Sequence, residues 1–309
     1  MKFRWLNLLP ACAIALAVSC KQDNQTDSLS PTSSPDASAT AAQIFQVKGV
    51  VVELDPDGQN VRIKHEEIPG YMGAMTMLFE ARPTNELRGL APGDTVSFRL
   101  TVTDTDGWID QIKKLDAAPV TNTLPMTGPF RTVRDVEPLN VGDLMPDYHF
   151  TNQLGQAVSL SQFRGQALAI TFIFTRCPFP TFCPLMSRNF EEVQKTLLAR
   201  PNAPTNWHLL TITFDPEYDT PPRLKGYAKQ YHADPAHWSF LTGALIDITA
   251  IAEQCGLLFW REGDGWNISH NLRTAVVDAQ GRVQKILPEN KWTSDELVAE
   301  ILTAAQVKP

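Results

Sequence analysis

Apolar and polar positions in the C-terminal half of the chain predict alternating strands and helices. Residues 167–174 form an unbroken apolar, β-branched and aromatic run, which is typical of a buried strand. After a short loop, Pro184 suits the first position of a helix, and apolar residues then recur at helical spacing. The pattern predicts a further buried strand over 207–214 and a hairpin over 273–286. This alternation predicts an α/β fold.

Helix starts in the same half are marked by short polar and proline-containing segments. Thr220 with two following prolines begins one predicted helix, and Asp247 is predicted to cap another. Thr293 and Glu296 have the spacing of a capping box, which predicts the start of the last helix.

The N-terminal half instead has short runs in which apolar and polar residues alternate. These runs predict strands at residues 47–55, 61–64, 78–80, 95–103 and 108–115. Five short strands within about 75 residues favour a small all-β barrel of the OB type.

Composition divides the chain into five parts. They are a signal peptide (1–19), a polar tether (20–42), the β-barrel domain (43–118), a Pro/Thr-rich linker (119–138) and the α/β domain (139–309). With 43% hydrophobic and 20% charged residues, both domains can bury a core. The net charge of −7, with no cluster of Lys or Arg, argues against a nucleic-acid partner.

The first residues predict export from the cytoplasm. A positively charged start precedes an apolar stretch over 5–18 that is short for a membrane span. Residues 16–20 resemble a bacterial lipobox, which implies that Cys20 is lipidated; ordinary cleavage and a retained anchor are the alternatives. The expectation is a lipoprotein held at a membrane on the periplasmic side of the bacterial envelope.

The segment Thr175–Met186 carries two of the five cysteines of the chain. Cys183 is predicted at the beginning of a helix, where free N–H groups and the helix dipole stabilise a thiolate. We therefore expect its pKa to lie below the roughly 8.5 of a free cysteine. A thiolate binds soft metals and attacks disulfides, so both chemistries are open here.

This segment, with its flanking strand and helix, resembles the Sco/SenC family. Further matching motifs are residues 141–147, residues 213–221 and Ser269–His270 followed by 276–278. The resemblance implies a thioredoxin-like fold, a copper site made by Cys177, Cys183 and His270, and assembly of the CuA centre of cytochrome c oxidase. One departure is that five residues separate the two cysteines here, whereas three is usual in the family.

Other residues of this domain have competing interpretations. Asp215 ends a predicted strand and either orients the site or forms an Asp-Pro turn. Cys255 lies on an apolar helix stripe, which favours a buried structural thiol over one used in disulfide exchange. Four histidines lack a supporting context and are interpreted as structural: His149, His208, His232 and His237.

A second group of soft ligands lies in the β domain. Met75 and Met77 share one face of a predicted strand, and His65 and Met72 precede them. Such residues either fill a barrel core or bind Cu(I), for which thioethers and imidazole are suitable ligands. The pattern is similar to CusF-type periplasmic copper-binding domains, whose ligand positions match His65, Met75 and Met77. Met72 stands where better-known members have a tryptophan, and it is a fourth candidate ligand.

The function predicted from these features is that of a copper metallochaperone using Cu(I) and Cu(II). Its expected partners are a cytochrome c oxidase subunit or another cupro-protein client, and the membrane through the lipid. A thiol–disulfide reductase using Cys177 and Cys183 and a copper-tolerance sink are the alternatives; catalysis as the main role is disfavoured because the chain lacks C-x-x-C. We also expect a relay in which Cu(I) runs from Met75 and Met77 to the cysteines across a flexible linker of roughly 20 residues.

Overall fold

The computed structural model describes residues 42–115, 136–262 and 266–307. The predicted signal peptide with Cys20, almost all of the tether and most of the linker lie outside the described residues. The described residues belong to one compact unit that spans Thr40–Pro309. Among them, no helix combines the length and the apolar character that crossing a membrane requires.

Residues 42–115, called the β domain below, form a five-stranded antiparallel sheet. Its strands are β1 (Gln43–Leu54), β2 (Asn60–His65), β3 (Met75–Glu80), β4 (Thr95–Val102) and β5 (Gly107–Lys114). The strand order is β3-β2-β1-β4-β5, and a parallel bridge joins Ala81, directly after β3, to Ile109 in β5. The two edges of the sheet therefore meet, as an OB-type arrangement requires.

The described residues from 136 onward form the second part, called the α/β domain below. Its strands are β6 (His149–Asn152), β7 (Ala157–Ser159), β8 (Ala167–Ile173), β9 (Trp207–Thr213), β10 (Trp238–Thr242), β11 (Phe259–Arg261), β12 (Ile268–His270), β13 (Arg273–Val277) and β14 (Val283–Pro288). Its helices are α1 (Cys183–Ala199), α2 (Pro221–Gln230), α3 (Leu245–Gln254) and α4 (Ser294–Ala305).

Seven of these strands make one sheet in the order β14-β13-β8-β9-β10-β6-β7. The three central strands β8, β9 and β10 run parallel, and the outer strands are antiparallel to their neighbours. Every residue of β8 and β9 is buried, and α1 and α4 pack on β8. The thioredoxin-like α/β fold and the preceding all-β domain are both as predicted. Ligands in such sheets bind beyond the carboxyl ends of the central strands, which is where the cysteine loop leaves β8.

Three local predictions differ from the structure. Asp247 does not cap α3, because this helix begins at Leu245 after Ala244 and Asp247 lies within its first turn. His270 ends the short strand β12 rather than lying in a loop. Strand β10 was not predicted, because its five residues mix apolar and polar positions without a clear period. The capping box of Thr293 and Glu296 is present at the start of α4, as predicted.

Candidate metal centre

The cysteine loop and β12 bring three predicted ligands together. Cys183 is the first residue of α1 and is fully buried, whereas Cys177 lies in the loop after β8 and is partly exposed. His270, at the end of β12, is buried. The ligand atoms of the three residues lie within 4.8 Å of one another, and His270 Nε2 is 4.0 Å from Cys183 Sγ. The five-residue spacing thus still brings the two thiols into one site.

The two thiols differ in their affinity for protons. Burial raises the pKa of Cys177, but hydrogen bonds with Cys183 and His270 outweigh it, so that its pKa lies well below that of an ordinary cysteine. Burial, and then the hydrogen bond with Cys177, hold the pKa of Cys183 well above the ordinary value. The thiolate of the pair is therefore Cys177. The expectation of a lowered pKa at Cys183 is wrong, because complete burial outweighs the effect of the helix N-terminus.

His270 is held in the orientation that a metal ligand needs. Its Nδ1 lies 2.8 Å from the carbonyl oxygen of Asn271, which accepts a hydrogen bond when Nδ1 carries the proton. Nε2 then presents its lone pair toward Cys183. The rings of Phe174, Phe182 and Phe214 surround the imidazole at centroid distances of 5.7, 5.5 and 5.0 Å. These rings fix the imidazole plane and keep water away from it.

Asp215 supports the cysteine loop through an arginine. Its buried carboxylate accepts hydrogen bonds from Arg176 at 2.5 Å and from Arg261 at 2.9 Å. Arg176 also lies over the ring of Tyr218, with its guanidinium carbon 3.9 Å from the ring centroid. Since Arg176 directly precedes Cys177, Asp215 positions the loop that carries this thiol.

Sequence reasoning did not single out Asp219. This fully buried carboxylate accepts hydrogen bonds from the Thr175 amide at 3.0 Å, from the Thr213 hydroxyl at 2.6 Å and from the Thr175 hydroxyl. Burial, the largest cause, raises its pKa. The available signal was its place in the motif over 213–221, where Asp219 follows Asp215 and Glu217 as the third carboxylate. Asp219 ties the end of β9 to the start of the cysteine loop.

Cys255 and the other histidines lie outside this centre. Cys255 directly follows α3 and is 1% exposed, and burial raises its pKa to about 12. A buried thiol that stays protonated fits the structural role predicted for it. Within the described ranges, the two thiols and the imidazole form the one cluster of three such groups able to hold a metal ion.

The second group of candidate ligands lies on the β2–β3 hairpin. His65 pairs directly with Met75 across these antiparallel strands, and Met77 follows on the same face. Nδ1 of His65 lies 2.7 Å from the Glu66 carbonyl oxygen, while its buried Nε2 has no hydrogen-bond partner among the described residues. Burial lowers the pKa of His65, so that the ring is neutral. A neutral, orphaned ring nitrogen beside two thioethers fits a Cu(I) ligand set.

The two groups of ligands face each other across a single cavity. Met72, Met75 and Met77 line it from the β domain, and Cys177 and His270 line it from the α/β domain. The sequence predicted two sites joined by a flexible linker, and the structure docks the two domains with their candidate ligands face to face.

Comparisons with known proteins identify both halves. The family model SCO1/SenC matches residues 137–306, which is more than half of the chain, and the model for the copper binding periplasmic protein CusF matches residues 44–114. The chain therefore belongs to the SCO1/SenC family. It is a copper-binding protein with a CusF-like region before its thioredoxin-like domain.

Individual relatives match the same part of the chain. The SCO1 protein homolog of Bacillus subtilis is 30% identical over 176 residues, which cover 56% of this chain and 87% of the relative. An SCO2-like protein of Rickettsia felis is 28% identical over 149 residues, covering 45% of this chain and 66% of the relative. A solved structure of BsSco, described as a member of the Sco family of cytochrome c oxidase assembly proteins, is 27% identical. It covers 56% of this chain and 98% of its own, with a TM-score of 0.47.

Proposed function

We propose that this protein is a copper metallochaperone that holds copper at Cys177, Cys183 and His270 and delivers it to a cupro-protein client. The observation that carries the proposal is the largely buried cluster of two thiols and one imidazole, which offers three ligands. Among the described residues, no further Cys, His, Asp or Glu joins this cluster. Structural Zn²⁺ takes four ligands, whereas a three-ligand site built on soft cysteine thiolates suits Cu(I). Copper here is cargo, and a three-ligand site leaves room for an incoming client ligand.

The proposed client is the CuA-bearing subunit of cytochrome c oxidase. Support comes from family membership and from the relative described as an oxidase assembly protein. The proposed location is the periplasmic side of the bacterial envelope, with Cys20 lipidated and the chain held at the membrane. This rests on the export-type N-terminus and on the match to a periplasmic copper-binding domain.

In this proposal His65, Met75 and Met77 form a second Cu(I) site that acquires or stores the metal, with Met72 beside it. The orphaned Nε2 of His65 opposite Met75 supports it. Asp215 keeps its role as a residue that positions the cysteine loop.

Copper stoichiometry of the reduced full-length chain tests the two sites. We expect about two equivalents of Cu(I) to bind the wild-type chain, and about one to bind Cys177→Ser, Cys183→Ser or His270→Ala, because two remaining ligands hold copper weakly. Cys255→Ala is the matched control and should bind like wild type. Unchanged copper binding by His270→Ala would refute the three-ligand centre.

A thiol–disulfide reductase is the second candidate, and the low pKa of the partly exposed Cys177 beside Cys183 favours it. An experiment with the copper-free CuA domain of the client, supplied either with its cysteines oxidised to a disulfide or with them reduced, separates the two functions. A reductase needs only the two thiols, so His270→Ala should still reduce the client disulfide. A chaperone needs the imidazole, so His270→Ala should fail to produce the visible absorbance of assembled CuA in a client that is already reduced.

A further inference from the structure

The cavity between the two ligand groups is small. Its volume is about 20 Å³, which is close to the minimum that a single water molecule needs. A bare copper ion fits such a space, whereas a hydrated ion, a chelator or a client loop does not. Copper bound by either group would therefore lie close to the other group.

Two glycines of the β domain allow the α/β domain to pack closely against it. A Cβ on Gly73 would lie 1.9 Å from Asn267 Nδ2, and a Cβ on Gly107 would lie 2.7 Å from Phe179 Cζ. The Gly73 amide also donates a hydrogen bond to Asn267 Oδ1 at 3.3 Å. Neither glycine has the positive φ that would require this residue type for conformational reasons. The absence of a side chain at both positions therefore serves the close approach of the α/β domain.

Polar contacts also join the two domains across their interface, which is called the seam below. The Thr76 amide donates to Ser269 Oγ at 3.0 Å, and the Tyr71 hydroxyl donates to the Pro178 carbonyl at 3.2 Å. At the periphery, Lys291 forms ion pairs with Asp55 and Asp57. One buried and one partly buried hydrogen bond, together with ion pairs between the two domains, describe a specific interface.

Building on the proposed function, we propose that Cu(I) passes from the site of His65, Met75 and Met77 to the site of Cys177, Cys183 and His270 across this cavity while the two domains remain docked. The transfer is an exchange of ligands. Bonds from copper to the thioethers and to His65 break as bonds to the two cysteine sulfurs and His270 form, and copper stays Cu(I) throughout. The proton displaced from Cys183 passes to solvent. Midway, copper is shared between a thioether of the β domain and the Cys177 thiolate.

Met72 gives this cavity an entrance. Its side chain lines both the inner cavity and an outer, solvent-open groove that also contains Glu67 and Glu262. Two carboxylates at the mouth attract a cation, and the Met72 thioether is the first soft ligand inside. Copper that enters past Met72 would therefore meet the β-domain ligands before the cysteines.

A double-mutant cycle on the full-length, reduced chain tests transfer in the docked state. Cu(I) is supplied as its complex with bathocuproine disulfonate, which is too large for the cavity, and arrival at the cysteines is followed by copper–thiolate absorbance in a stopped-flow instrument. One arm of the cycle is Met75→Leu with Met77→Leu. The other arm is Gly73→Ala with Gly107→Ala, whose Cβ atoms would press on the side chains of Asn267 and Phe179 and loosen the seam. Gly226→Ala is the matched control, since a Cβ there meets nothing within 4 Å.

In the docked chain, the methionine substitutions should slow the arrival of copper at the cysteines by roughly tenfold or more, because no copper is then held at the neighbouring β-domain site. In the chain with the opened seam, the same substitutions should change the rate by less than about twofold, so the two arms are strongly non-additive. An equal effect of the methionines in both backgrounds would overturn docked transfer and favour a relay across the linker. No effect in either background would overturn any transfer between the sites.

These outcomes are separable from failure of the proposed function. If the wild-type chain gave no copper–thiolate absorbance at all, the chaperone proposal itself would fail. Circular dichroism and Cu(I) stoichiometry of each variant confirm that the seam substitutions leave both domains folded and able to bind copper.

Discussion

The backbone amide of Thr76 donates a 3.0 Å hydrogen bond to the hydroxyl of Ser269, and this contact joins the two candidate copper sites. Thr76 lies between Met75 and Met77 on β3, and Ser269 directly precedes His270 on β12. Each residue of this hydrogen bond is therefore adjacent in sequence to one or two candidate ligands. The bond fixes how far the thioethers stand from the imidazole.

Removing this acceptor should loosen the seam. In Ser269→Ala the buried Thr76 amide loses its partner, which costs about 1–3 kcal/mol. The β domain should then uncover the cysteine site more often, and bathocuproine disulfonate should strip copper from the loaded chain about tenfold faster. The measurement is the absorbance of the copper–chelator complex against time. Ser97→Ala on β4 is the control, and identical stripping rates in the two variants would contradict a role for Ser269 in the seam.

Asp219→Ala should destabilise the protein and weaken its copper site together. Three donors of Thr175 and Thr213, which are buried or partly buried, would lose their acceptor, so the free energy of unfolding should fall by roughly 3 kcal/mol. Because Thr175 begins the cysteine loop, Cu(I) affinity should also fall. Urea unfolding and Cu(I) competition titrations measure the two effects. The exposed Asp104→Ala provides the comparison, and copper affinity that stays at the wild-type level would show that the loop does not depend on Asp219.

Local signals in the sequence were sufficient for most of the elements and, with the family resemblance, for the candidate ligands of the main site. The apolar run of β8 and the proline after Cys183 are local signals, so the strand, the loop and the helix start could be predicted. The match of Ser269–His270 to the family then assigned the third candidate ligand, which spacing alone could not, because His270 lies 87 positions after Cys183.

What the sequence could not predict are relationships between distant segments. The seam joins Thr76 to Ser269 across 193 positions, and no periodic pattern encodes such a contact. The proton affinities of Cys177 and Cys183 depend on burial and on their mutual hydrogen bond, neither of which can be derived from a helix start. The burial of Asp219 depends likewise on how the turn after β9 folds back onto the cysteine loop.

The two thiols of the copper-free chain should react with an alkylating agent at different rates. Cys177 is partly exposed and its pKa lies well below the ordinary value, so it should be alkylated first, whereas Cys183 and Cys255 are buried with raised pKa values. The rate at Cys177 should also stay nearly constant as the pH rises through about 8.5, where an ordinary cysteine becomes more reactive. Brief treatment with iodoacetamide and peptide mass spectrometry measure this. Alkylation of Cys183 before Cys177 would refute the assignment of the thiolate, and bound copper should protect Cys177.

Acidification should move Cu(I) from the cysteine site back to the β domain. Copper binding displaces the proton of Cys183, whose pKa is raised by burial, so protons compete with copper more strongly as the pH falls. Thioethers bind no protons in this range, and burial lowers the pKa of His65, so that its ring remains a ligand below the usual titration range near 6.5.

Between about pH 7.5 and about pH 5.5, a full-length chain carrying one equivalent of Cu(I) should therefore lose copper–thiolate absorbance. The methyl resonances of ¹³C-labelled Met75 and Met77 should shift over the same range, because copper stays on the chain. In Met75→Leu with Met77→Leu, the same acidification should instead release copper to a chelator. Release from the wild-type chain at the same pH as from this variant would show that the methionine site does not hold copper when the cysteine site loses it.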